Sequence, residues 1–129
     1  MPANIEAARR PKYLNPLRVR LPLPGIISIL HRVSGALLFL ALPLMLYAFQ
    51  QSLASPAAFA AFKTALGHWY SKMALLALLW TYFHHLCAGL RHLALDLHIG
   101  VDLRSARRSA RLTLVTGIAL TVLAAVLLW

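Results

Sequence analysis

Ser28, His31 and Arg32 fall within one short stretch, ISILHRVSG at 27–35, and His85, Gly89, His92 and Asp96 follow one another later in the chain at spacings of 4, 3 and 4. On a helix of 3.6 residues per turn, Ser28 and Arg32 share one face with Gly35 three residues further along, and His31 lies beside that stripe. The second set likewise makes one face. An imidazole can ligate a metal, carry a proton or be a satisfied core group. A fixed guanidinium next to a hydroxyl can stabilise an oxygen that gains charge or a proton during a reaction.

The surroundings of these residues sharpen the question. The chain of 129 residues is 60% hydrophobic and only 12% charged, which is too apolar for an ordinary soluble domain. About 20 apolar residues suffice to cross a bilayer, and three stretches qualify: residues 26–50, 69–97 and 111–129. They form a membrane domain over 26–129, preceded by a Pro-containing segment, 1–25, that is expected to stay non-helical up to the first span. Ionisable groups inside such spans cost several kcal/mol each unless they face a cavity, a ligand or a partner. Both clusters are therefore functional candidates by their position.

Thirteen Lys and Arg against three acidic residues give a formal charge of +10, which in a soluble protein would suggest nucleic acid. Here the charge sits in two blocks, Arg9 to Arg20 and the loop RSARRSAR at 104–111, so a membrane explains it and no nucleic-acid partner is expected. Both blocks are expected on the cytoplasmic side of the membrane, which puts the N-terminus inside and the C-terminus outside. The loop between the first two spans, with Ser55, Pro56 and an Ala-rich run, carries only Lys63 and Lys72, as the far side should. The first apolar run is too long for a signal peptide and should persist in the mature protein. Cys87, the sole cysteine, allows no intramolecular disulfide and reads as a small core residue.

Metal chemistry narrows in the same way. Asp96 is the only acidic residue in any span, which excludes the carboxylate-rich site of di-iron bundles. Haem needs only one axial imidazole from a helix, an apolar cradle and cations for its propionates. His31, Arg32 and Arg91 stand toward the cytoplasmic end, where propionate partners belong. Gly89 would let a flat ligand approach the backbone, or serve close helix packing. Spacing alone leaves open haem ligation, proton relay and plain packing for the histidines, and leaves open headgroup snorkelling for Arg32 at its depth of roughly 9 Å.

Two motifs carry a resemblance. SILHRVSG at 28–35 and HLCAGLRHLALD at 85–96, in this order on the first and second spans, resemble the cytochrome b membrane-anchor subunits of bacterial succinate dehydrogenase, respiratory complex II. The likeness extends over nearly the whole chain, from the basic N-terminus to the terminal Trp129. It implies an all-α membrane protein whose three transmembrane helices form half of a haem-binding bundle with a second three-span anchor subunit. By the same resemblance, His85 would be the axial ligand of haem b iron, with the other axial ligand from the partner. His31 and Arg32 would lie near the haem propionates, and Ser28 and Arg32 at the ubiquinone site. Docking of the iron–sulfur and flavoprotein subunits is implied too, so electrons from succinate would reach ubiquinone by way of those subunits. His84 points about 100° away from His85 around the helix and does not fit the motif. His92 and Asp96 would pair with each other or with the basic loop as structural groups. Two other roles are compatible with the residues: the anchor of a quinol:fumarate reductase, and a non-redox three-span assembly protein.

Overall fold

The structure is a computed structural model that describes residues 21–129. The basic N-terminal block at 9–20, and most of the segment 1–25, lie outside the described residues. All regular structure in the described part is helical: α1 (Leu23–Ser52), α2 (Pro56–Gly67), α3 (Trp69–Asp96) and α4 (Leu103–Leu128). Three of these, α1, α3 and α4, are long and apolar enough to cross a membrane. The chain is thus an all-α, multi-span membrane protein.

α1 begins three residues before its apolar run, through Pro24 and Gly25, although prolines were expected to hold this segment non-helical. A proline in the first helical turn loses no hydrogen bond, because the N–H groups there have no intrahelical partner. Gly25 N–H and Ile26 N–H donate to the Pro22 carbonyl at 2.9 and 3.2 Å and close the first turn. The Ala-rich stretch after the first span is a helix, α2, and not a loop. Ser55 caps it by accepting from the Ala58 N–H at 3.1 Å, Pro56 occupies the first turn, and alanine is the strongest helix former. The basic stretch 104–111 is helical as well and forms the first two turns of α4. Asp102 caps it, its Oδ2 accepting from the Ser105 N–H at 2.9 Å, which compensates the arginines' unfavourable position near a helix N-terminus.

α3 ends in a Schellman turn. His98 N–H donates to the Leu95 carbonyl (2.9 Å) and Ile99 N–H to the Ala94 carbonyl (3.0 Å), which requires a left-handed residue between them. That residue is His98, at φ 60°, where glycine is usual.

α3 is the hub of the bundle, packing on α4 most extensively and on α1 next. Its buried residues Thr81, His84, Ala88 and Arg91 follow a 3-4-3 spacing, and those of α4, Ala110, Thr113 and Gly117, a 3-4 spacing. Small residues at these positions let the two backbones approach; a Cβ on Gly117 would stand 3.4 Å from His84 Cα. Ile27, Ala88 and Ala110 make up the buried apolar core. Large apolar side chains lie on the outside, Phe39 at 74% and Leu127 at 77% exposure, an arrangement that suits lipid or partner helices rather than water.

Candidate functional site

α1 and α3 meet along a polar seam. From α1 come His31, Ser34 and Gly35, and from α3 come His85, Gly89 and His92. The His85 ring nitrogen Nδ1 lies 3.1 Å from the His31 carbonyl oxygen and 3.1 Å from Ser34 Oγ. Ser34 Oγ–H itself donates to the same His31 carbonyl at 2.9 Å. With its single proton used there, the hydroxyl meets Nδ1 as an acceptor, so two oxygens face one ring nitrogen. That arrangement is satisfied when Nδ1 carries the proton and donates. For the neutral ring this favours the tautomer with its lone pair on Nε2, the arrangement usual for a metal-ligating imidazole whose other nitrogen is held by a carbonyl.

Close approach makes this geometry feasible. A Cβ on Gly35 would come within 2.9 Å of His85 Cε1, so only glycine leaves room for the ring where its hydrogen bonds hold it. His31 stacks on His85 with ring centroids 4.3 Å apart and an interplanar angle of 16°, and on its other side approaches His92 at 5.0 Å. The space over Gly89, which the sequence offered to a flat ligand, is taken by the His31 ring: a Cβ there would lie 3.5 Å from His31 Nε2. Gly89 thus serves the imidazole stack. Among the described residues no group of three His, Cys, Asp or Glu side chains is arranged to hold a metal ion, so this chain presents a single oriented imidazole rather than a ligand cage.

The remaining candidates separate from this seam. Arg32 is exposed and Ser28 half-buried on the neighbouring face of α1, away from His85. Arg91, which the sequence placed among propionate partners with His31 and Arg32, is turned to α4: its Nε–H donates to Ser109 Oγ (3.1 Å) and its Nη2–H to the Ala106 carbonyl (3.4 Å). Its position six residues from His85 sets it about 120° away around α3. Asp96 is exposed at the end of α3, while His92 tilts against His31 instead of pairing with it. His84 is wholly buried on the α4 side, stacked on Trp80 at 5.3 Å, and neither of its ring nitrogens has a hydrogen-bond partner among the described residues. Ser34, which orients His85, was missed in the sequence. Its signal was the second hydroxyl of S-x-x-H-R-x-S-G, one turn after His31.

Fold and site together define a multi-span helical membrane subunit that offers one oriented imidazole from its bundle interior. Residues 6–125 match the family described as succinate dehydrogenase/fumarate reductase transmembrane subunit. The chain is similar to the succinate dehydrogenase cytochrome b556 subunit of Coxiella burnetii (strain RSA 493 / Nine Mile phase I), 37% identical over 123 residues that cover 95% of this chain and 98% of that protein. It is also 31% identical to the protein of the same name from Paracoccus denitrificans, over 94% of this chain and 93% of the relative. The chain belongs to the succinate dehydrogenase/fumarate reductase transmembrane-subunit family.

Proposed function

We propose that this chain is the cytochrome b anchor subunit of a bacterial succinate:ubiquinone oxidoreductase, holding haem b with a second three-span anchor subunit and docking the iron–sulfur and flavoprotein subunits. The observation that carries the reading is the pair of oxygens on His85 Nδ1, the His31 carbonyl and Ser34 Oγ, which favours a proton there and a lone pair on Nε2. One imidazole without further ligands from the described residues suits a haem whose second axial ligand comes from the partner. His31 and Arg32 would be the donors near which the propionates lie. Haem b held there would supply one-electron storage.

This chain's own contribution to quinone reduction is the Ser28–Arg32 face of α1. The Arg32 guanidinium and the Ser28 hydroxyl would bind a quinone carbonyl oxygen and favour it as it gains negative charge and then a proton. Two electrons and two protons released as succinate becomes fumarate would account for ubiquinone becoming ubiquinol. Ser28 and Arg32 lie on the outer face of α1, where a partner subunit can close the site. The two arginine-rich blocks would face the cytoplasm, N-terminus inside, beside the docked catalytic subunits. The family covers anchors of both succinate dehydrogenase and fumarate reductase, and the name borne by both relatives favours the dehydrogenase.

The test is purification from the membrane under mild detergent. Four co-purifying chains, one with flavin and one with iron–sulfur clusters, together with a b-type band in the reduced-minus-oxidised spectrum, are the expected result. In that preparation Arg32→Leu should impair ubiquinone reduction while succinate oxidation by an artificial dye continues. Loss of both activities together would make Arg32 an assembly residue.

A further inference from the structure

On the side of α3 remote from the histidine seam, a cavity of about 380 Å3 runs between α3 and α4. It extends along α3 from Cys87 to Leu95, roughly 12 Å parallel to the spans, and is continued by Ile99 and Gly100 of the turn that follows. Leu90 and Leu112 are among its apolar walls, and Ser105 and Ser109 add hydroxyls. Arg91, only 8% exposed, contributes its permanent positive charge. A guanidinium has five N–H donors, and the two engaged by Arg91 go to a neutral hydroxyl and a neutral carbonyl. No acidic side chain lines the cavity among the described residues, so the buried charge has no counter-ion there. Arg91 lies level with the arginine-bearing start of α4, where Arg104, Arg107, Arg108 and Arg111 mark the passage from hydrocarbon to headgroups.

We propose that this cavity is a binding site for one anionic phospholipid, its phosphate oxygens accepting from Arg91 and the Ser105 hydroxyl and one acyl chain lying along Leu90 and Leu112. An elongated apolar trough with one uncompensated cation matches an amphiphile of that shape and charge. A zwitterionic lipid would bring its own cation close to Arg91 and bind less well. The inference rests on the membrane placement of α3 and α4 alone and stands apart from the haem and quinone reading.

The protein, purified in detergent with the subunits that accompany it and stripped of lipid, is titrated with palmitoyl-oleoyl phosphatidylglycerol, with phosphatidylcholine of the same chains, or with inorganic phosphate. Native mass spectrometry counts the lipid retained, and N-ethylmaleimide labelling of Cys87, read on this chain's own peptide, reports cavity occupancy. One phosphatidylglycerol per chain is expected, held about tenfold more tightly than phosphatidylcholine, with Cys87 protected in step. Ala94→Leu fills the cavity without touching the Arg91 hydrogen bonds, and Arg91→Lys keeps the charge but loses the planar fork; each should weaken retention about tenfold. Arg108→Gln, outside the cavity, should leave it within about twofold. Equal retention of the two lipids, or unchanged retention in Ala94→Leu, overturns the proposal. Cys87 already shielded in the stripped complex overturns it in favour of a covering protein segment, and protection by inorganic phosphate alone in favour of a free anion.

Discussion

The two seams of α3 solve opposite problems. Toward α1 the interface is polar: His31 stacks on His85 and tilts against His92, and the His85 ring faces Ser34 Oγ and the His31 carbonyl through one nitrogen only. Toward α4 the interface is built from small groups, Ala88 against Ala110 and Gly117 against the His84 backbone, and it seals His84 with no partner on either nitrogen. Adjacent histidines thus have contrasting environments because consecutive positions on a helix diverge by about 100°. Orientation together with an unused lone pair makes His85 a ligand candidate, whereas burial alone leaves His84 an unsatisfied packing group.

The contrast can be broken most severely from the α4 side. Gly117→Val places branched atoms against the His84 backbone, which cannot yield, and should cost about 3 kcal/mol, read as a lowered Tm of the purified complex. On the α1 side, Gly35→Ala drives a Cβ into the His85 ring and should cost about 2 kcal/mol of ring positioning, seen as weakened haem retention with the helical content unchanged. His84→Leu removes two unpartnered buried nitrogens at similar volume and should raise stability by about 1 kcal/mol, leaving the haem spectrum unaltered. A smaller gain, below about 1 kcal/mol, is expected for His98→Gly, since His98 occupies the left-handed position of the Schellman turn outside both seams.

The smallest effect is one of pH. Hydrogen bonding from Ser105, side chain and backbone, holds the Asp102 carboxyl below its ordinary value. Because the folded value is the lower one, this cap stabilises α4 at pH above the ordinary carboxylate range, and the contribution is lost as pH falls through the folded value. A melting series from pH 6 down to about pH 3 should show a decline in the wild type that is reduced in Asp102→Asn, which caps without titrating.

Much of this architecture is legible from residues alone. Three spans follow from long apolar runs, and the 4-3-4 spacing of His85, Gly89, His92 and Asp96 places them on one face. Helicity at the span margins was less visible, since Ser-Pro before an Ala-rich run and Asp102 before RSARRSAR are caps that resemble loop punctuation. Neither could spacing say which neighbour each face meets. The pair Ser28 and Arg32 drew attention to one side of α1, while Ser34 and the His31 carbonyl, which orient His85, lie with Gly35 on the side that α3 covers. Arg91 went astray for the same reason: its depth was readable, its direction around α3 required knowledge of where α4 packs.

The central claim is that the His85 tautomer and not the burial of His84 makes the haem site. Reduced-minus-oxidised spectra of the purified complex carrying His85→Ala or His84→Ala test it directly. The b-type band should be lost or strongly diminished in His85→Ala and intact in His84→Ala; a band that survives the first substitution and disappears with the second would contradict the account.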